Sequence, residues 1–359
     1  NLGSAIASAA TILFLFWTIT ALVKKTIVKA GEIITTSQLV TIMGAGAVGA
    51  LAYTFSDSFW FSAVESEVYA LSSLFTAIVF WAILKWEANA NEPRADKWLL
   101  FIAYIMGLSI GIHLLNLLTI PAIAFVYYFK KTGKATNSGI IKTFFIGILI
   151  LAVIQYGIIQ YLVAFGAKFD LFFVNTLGLG FGSGVIFFAL LITAAFIWGI
   201  RYSIIHKKKV LNLALLSTLL IVFGYGSFAM IIIRAKAKPN LNNSNPDNAF
   251  SFLSYLNREQ YGDRPLLFGP NYNSEKIGLK EGKNLYRKGA EKYEVSGKKT
   301  DYEYDRITPF PRMYSDDERH ISFYQEMTGL DSSKFPSLFD NITFLFKYQI
   351  GNMYMRYFM

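Results

Sequence analysis

Six polar side chains in this chain have types and settings suited to chemistry. Asp57, Glu65 and Glu67 lie in the stretch SDSFWFSAVESEVYALSSLFTA. A carboxylate can take the proton of an attacking hydroxyl or orient it. His113 follows the apolar run GLSIGI, and Asn116 comes three residues later within LLNLL. An imidazole can bond a phosphate, a sugar hydroxyl or a carboxylate. Arg234 stands where the last long apolar run ends, and a guanidinium can clamp a phosphate through two parallel bonds.

Each has a plainer reading. At helical spacing Ser58, Ser62, Glu65, Tyr69, Ser72 and Thr76 form one polar stripe, so Glu65 reads as solvated. Glu67 falls on the opposite face with Trp60, Val64, Leu71 and Leu74, so it reads as buried and paired or used. His113 reads as functional because ionisable groups in membrane segments usually are; the alternative is a structural histidine bonded to a backbone carbonyl. Arg234 reads equally as an interfacial side chain snorkelling to water. Lys168 and Asp170, in GAKFDLFFVNTLGLGFG, either serve a site or pair with each other.

The elements that must hold these groups are apolar. Of 359 residues 54% are hydrophobic and 16% charged. Eight apolar segments are expected to be membrane helices, at 4–23, 38–55, 66–86, 98–112, 114–129, 139–165, 183–200 and 210–233. About 20 apolar residues span a bilayer core, and a helix satisfies its own backbone there. The fourth and fifth are short and predict either a tight hairpin with His113 at its tip or two half-helices. Residues 166–182 are glycine-rich and predict an outer loop or a re-entrant turn. Trp17, Trp60, Trp81, Trp86 and Trp98 lie near predicted ends, as an interfacial belt requires.

Basic residues occupy alternate gaps: Lys24, Lys25 and Lys29; Lys85, Arg94 and Lys97; Lys130, Lys131 and Lys134; Arg201 and Lys207 to Lys209. Loops rich in Lys and Arg stay cytoplasmic, so the gaps holding Asp57, Glu65, Glu67 and His113 face outward. The net charge of +10 sits mostly in loops and reads as topology and contact with anionic lipid, not nucleic acid. No cysteine is present, so disulfides and thiolate metal sites are excluded, and no tight metal site is evident. There is no P-loop and no HExxH, and GLGFGSG follows no predicted strand.

Three regions are expected: a transmembrane helical domain over 1–234, an extracytoplasmic soluble region over 235–340, and the start of a further membrane helix over 341–359. Within the second, Asn245-Pro246-Asp247 predicts a cap for a helix over 248–259. PLLFGP predicts a short strand ending at a turn, and 286–306 alternates in part. Both chain ends look cut, which reads as an internal fragment of a longer protein.

The stretches TFSDSFWFSAVESEVYALSSLF, GLSIGIHLLNLL, RAKAKPNLNNSNPDNAFSFLSYLNREQYGDRPLLFGP, PRMYS and YQIGNMYMRYFM together resemble a bacterial, Bacteroidota-type membrane-protein family long labelled a domain of unknown function. It is related to the eukaryotic transmembrane O-mannosyltransferase of plexin-type receptors. The match to the eukaryotic branch lies in Glu67-Val68-Tyr69, Leu71, Leu74-Phe75 and the His113 segment; the soluble region resembles only the bacterial branch.

The resemblance implies an all-α polytopic glycosyltransferase of the GT-C type with a small α+β extracytoplasmic region, in the bacterial inner membrane. Its donor would be a polyprenyl-phosphate-linked sugar and its acceptor a hydroxyl of a protein or glycan. No cofactor is expected, and a divalent metal is left open. In such enzymes the catalytic acid sits in the first outer loop, which would precede residue 1, so the fragment alone is expected to be inactive. His113, Asn116 and Arg234 would then bind the donor phosphate or sugar, with Glu67, Glu65 and Asp57 in supporting roles. Two alternatives stand beside this reading: a transporter or flippase for a lipid-linked saccharide, and a non-catalytic envelope subunit.

Overall fold

The computed structural model describes residues 1–29, 31–262, 264–331 and 334–357. The chain divides into two compact units, Asn1–Leu256 and Asn257–Met359.

The first unit is helical. Helix α1 (Leu2–Ile27) is followed by α2 (Thr36–Thr54), α3 (Asp57–Val64), α4 (Tyr69–Asn89) and α5 (Lys97–Ile110). A 3-10 turn over Leu114–Thr119 leads into α6 (Ile120–Thr132). Next, α7 (Asn137–Ala152), a π-helical stretch (Val153–Tyr161) and α8 (Leu162–Asn175) run on as one helix, Asn137–Asn175. After a loop come α9 (Ser183–Ile205), α10 (Lys209–Tyr225), a short 3-10 turn and α11 (Met230–Lys236), then α12 (Ala249–Leu256).

Among the described residues five helices are long and apolar enough to cross a membrane, or six if the bent pair α2 and α3, at 68° to each other, is one span. The expectation of eight spans is not met on length. Helix α5 has 14 residues and α6 has 13, or about 20 Å each at 1.5 Å per residue, so neither α-helix alone matches a bilayer core of about 30 Å; α6 gains the rest of its reach from the 3-10 turn before it. They are not a packed hairpin: α5 packs against α4 and α10, and α6 against α7. The 166–182 expectation also changes, because residues up to Asn175 are helical and only the remainder is loop.

Helix boundaries follow local chemistry. Thr35 and Gln38 form a reciprocal capping box at the start of α2. Pro121 sits in the first turn of α6, where its missing N–H costs nothing. The core is built from Val79, Ile83 and Trp86 of α4, Ile102 and Met106 of α5, Leu117, Ile154 and Ile158, and Ile221 and Tyr225 of α10. The outward face of α9 is apolar instead: Ile186, Leu190 and Ile197 are each 64% exposed and Trp198 72%. Such a face is stable against lipid, not water, so this is a multi-pass membrane unit. Trp86 is not a belt residue; it is fully buried and stacks on Tyr127 with ring centroids 5.1 Å apart.

The second unit is mixed. Strand β1 (Phe268–Gly269) pairs antiparallel with β4 (Thr308–Pro309), and β2 (Lys276–Lys288) pairs antiparallel with β3 (Tyr293–Tyr304). PLLFGP and the 286–306 alternation therefore do form strands. Helices α13 (Glu318–Thr328) and α14 (Leu338–Phe344) follow, the latter continuing helically to Tyr357. Tyr272, Met313, Tyr324 and Phe344 form the core. Fully buried Asn341 ties it together: its Oδ1 accepts from the Arg312 and Met313 amides at 2.5 and 3.1 Å. The cap of α12 is Asn248, whose Oδ1 accepts from the Phe250 and Ser251 amides, so the helix starts later than Pro246 predicts.

Candidate functional site

Two chain segments run side by side from one end of the helical unit to the other. At one end the rings of Tyr69 and His113 lie 5.8 Å apart. At the other, Lys131 Nζ donates to the Ala90 carbonyl at 3.1 Å. Residues 69–90 and 113–131 are therefore parallel neighbours. Lys25 of α1 bonds Glu87 at that second end. Lys25 and Lys131, from two of the basic gaps, thus lie at one end, and the His113 turn lies at the opposite end.

His113 is half-buried and extended (φ −158°) at the start of the 3-10 turn. Its Nδ1 accepts from the Leu115 amide at 3.1 Å. A nitrogen that accepts carries no proton, so in the neutral ring Nε2 holds it and is a donor. Asn116 follows within the 3-10 turn. Asn116 is fully buried, and its Nδ2 donates to Ser109 Oγ at 3.1 Å. Ser109 in turn donates to the Met106 carbonyl at 2.7 Å. Asn116 Oδ1 has no hydrogen-bond partner among the described residues, nor has Ser72 Oγ on α4, one turn below Tyr69. Buried acceptors of this kind normally bond something, and two at one level of one interface mark a polar seam.

The carboxylates are arranged differently from expectation. Helix α3 ends at Val64, Glu65 is extended and α4 begins at Tyr69. Ser58, Ser62 and Glu65 are thereby cut off from Tyr69, Ser72 and Thr76, and the single stripe does not form. Glu67 lies in the break and is exposed, so the buried setting inferred from helical neighbours is overturned. Glu65 is exposed as expected, and Asp57 is exposed in the first turn of α3, where a carboxylate is favoured by the helix dipole.

Arg234 is exposed in the last turn of α11. Its element leads away from the His113 turn: a Cβ on Gly111 would meet Ser227 Oγ and Phe228 at 3.4 and 3.5 Å, and α11 begins just beyond them. Arg234 is thus at the His113 end, but no bond joins it to His113 or Asn116. Asp170 is structural rather than paired with Lys168. It is 1% exposed, and its carboxylate accepts from the amides of Gly182 and Gly184 at 2.9 and 3.0 Å, capping α9. Lys168 instead lies over the Phe165 ring.

Sequence reasoning did not single out Ser109 as the partner of Asn116. The seven-residue spacing would have paired them on a continuous helix; here a turn intervenes, and the pairing survives because the chain folds back against α4. Among the described residues no three His, Cys, Asp or Glu side chains gather to hold a metal ion.

Residues 1–136 match the family model described as the Protein O-mannosyl-transferase TMEM260 N-terminal domain. This range holds both segments that meet at Tyr69 and His113, and the resemblance read from the sequence is shown over it. Residues 262–346 match a family of unknown function, DUF8416. No curated protein and no solved structure matches the chain.

Proposed function

We propose that this chain is part of a membrane glycosyltransferase that moves a sugar from a polyprenyl-phosphate donor to a hydroxyl of a protein or glycan. The reading rests on one observation above all. Two of the stretches that carry the resemblance, 54–75 and 107–118, come together at Tyr69 and His113, at the end of the bundle away from Lys25 and Lys131. By the positive-inside rule that end is extracytoplasmic, in a bacterial inner membrane.

The chemistry follows from the residues. Cleavage of a sugar–phosphate bond leaves negative charge on phosphate, and donors fixed in advance stabilise it. His113 is such a donor through Nε2–H, because the Leu115 amide holds the ring by Nδ1. Asn116 and Ser109 hold the turn from beneath. Arg234, exposed on a separate helix at the same end, adds a cation for the phosphate. Asp57, Glu65 and Glu67 form an acidic, water-facing margin where an acceptor hydroxyl approaches.

The test is sugar transfer from radiolabelled polyprenyl-phosphate donors by the full-length protein in proteoliposomes. His113→Ala is expected to lower transfer by roughly a hundredfold, as loss of one charge-stabilising donor does, in protein that remains folded. Arg234→Ala is expected to raise the donor KM more than it lowers kcat. Wild-type transfer in both variants, correctly folded, sinks the assignment.

A further inference from the structure

Helices α9 and α10 meet at a turn built from cations. Arg201, Lys207, Lys208 and Lys209 lie in or beside it, and no Asp or Glu occurs between Asp170 and Asp247. Helix α10 runs parallel to α5, since Tyr104 meets Phe223 and Gly111 lies by Ser227. The turn therefore shares its end of the bundle with Asp96 and Lys97 at the start of α5. Among the described residues no ion pair joins Asp96 or any other carboxylate to the four cations. The turn is held firmly. The amides of Lys207 and Lys208 donate to the Ile204 and Ser203 carbonyls at 3.1 and 2.9 Å, and Asn212 Nδ2 donates to buried Ser203 Oγ at 2.9 Å. Lys207 sits at φ 51°, a backbone that favours glycine; after α6 and α13 a positive φ is taken by Gly133 and Gly329. A lysine kept where glycine fits better points to a use for its charge. An aromatic column on α9 leads to the turn: Trp198, Tyr202 and His206 stack at four-residue spacing, with ring centroids 5.8 and 4.1 Å apart.

We propose that this turn binds the phosphate of an acidic phospholipid, whose acyl chain lies against Trp198 and the apolar face of α9. Clusters of Lys and Arg at the end of membrane helices attract anionic headgroups. Snorkelling alone would carry each ammonium out to water. Lys208 instead folds back: its Nζ donates to Tyr202 Oη at 3.1 Å and lies 5.0 Å from the centre of that ring. Tyr202 Oη thus accepts from lysine and keeps its own proton to donate. His206 Nδ1 donates to the Tyr202 carbonyl at 2.9 Å, so Nε2 of the neutral ring is an acceptor and the phosphate contacts fall to the lysines, Arg201 and Tyr202. The exposed apolar side chains of α9 favour a lipid over free phosphate, which would meet the cations alone. The proposal does not rest on the transferase reading.

The experiment is fluorescence quenching on the full chain in proteoliposomes. Ile204→Cys, exposed beside this face, supplies the single thiol for a bimane label. The quenchers are phosphatidylglycerol and phosphatidylcholine, each with a nitroxide near the headgroup end of an acyl chain. Phosphatidylglycerol is expected to be preferred by about tenfold or more, because each lysine near an anionic surface is worth about fivefold. Lys207→Gly is expected to cut that preference about fivefold without lowering the thermal midpoint, since glycine suits the backbone there. Adding Lys208→Gln and Lys209→Gln is expected to abolish it, whereas Lys134→Gln, in another basic gap, leaves it intact. Excess inorganic phosphate is expected to leave the quenching unchanged; displacement of the lipid by it would make this a free-phosphate site and overturn the proposal. Equal quenching by the two lipids, or a preference that survives the triple lysine variant, overturns it too.

Discussion

Asp170 shows how much one buried carboxylate decides. In sequence it sits beside Lys168 in a glycine-rich stretch, and a local pair is the obvious reading. In space it reaches twelve residues on, to the first amides of α9. Helix starts leave N–H groups without partners, and a carboxylate there satisfies them and meets the positive end of the dipole. Asp170→Ala is therefore expected to destabilise the detergent-solubilised protein by about 1–2 kcal/mol, the usual worth of an N-cap, with Lys168→Ala near neutral. Thermal unfolding of both variants checks this; equal midpoints would remove the capping role. His113 belongs at the same scale. The sequence marks it as an imidazole in an apolar setting, but which nitrogen is free depends on the Leu115 amide, a contact made only once the chain turns.

At the scale of elements, glycine positions set which helices meet. Gly107 of α5 and Gly224 of α10 face each other: a Cβ on Gly224 would lie 2.7 Å from the Leu108 nitrogen and 2.8 Å from the Gly107 carbon and the Tyr104 oxygen. These are backbone atoms and cannot swing aside, so the crossing admits no side chain, as at small-residue crossings in membranes. Gly224→Ala is expected to cost about 1–3 kcal/mol through overpacking. Gly44→Ala in α2, with nothing within 4 Å of its added Cβ, is expected to be neutral or slightly stabilising. The comparison of the two thermal midpoints tests the crossing.

The helices themselves were largely legible, because long apolar runs declare them. Two features were not. The break at Glu65–Val68 contains neither proline nor glycine, so helical periodicity reads straight through it and misplaces Glu67. The 98–129 stretch is apolar enough to suggest two plain α-helical spans, yet residues Leu114–Thr119 form a 3-10 turn, a change of helix type that apolar periodicity does not mark.

For the whole membrane unit, the separation of charge is the organising fact. Lys25 with Glu87, and Lys131 with the Ala90 carbonyl, lie at one end; Tyr69 with His113 lies at the other. The chain has no cysteine, so single introduced thiols report sidedness without interference. Lys134→Cys and Glu67→Cys are expected to react with a membrane-impermeant maleimide from opposite sides of the membrane. Labelling of both from one side would defeat the two-ended arrangement and the extracytoplasmic placing of the His113 turn.

What the sequence determined by itself was the solvent of each part. Apolar length, lysine spacing and the polar composition after Arg234 follow from transfer free energies, which depend on residue type and not on contacts. The family resemblance, carried by several short stretches in order, was likewise readable. Contact was left to the tertiary structure. It brought Tyr69 of one helix to His113 of a turn 44 residues later, buried Asn116 against Ser109 and exposed Glu67. It also sent Asp170 to α9. Those outcomes depend on which backbones pack close enough to touch and where a helix stops, and neither is encoded in the local pattern of apolar and polar residues.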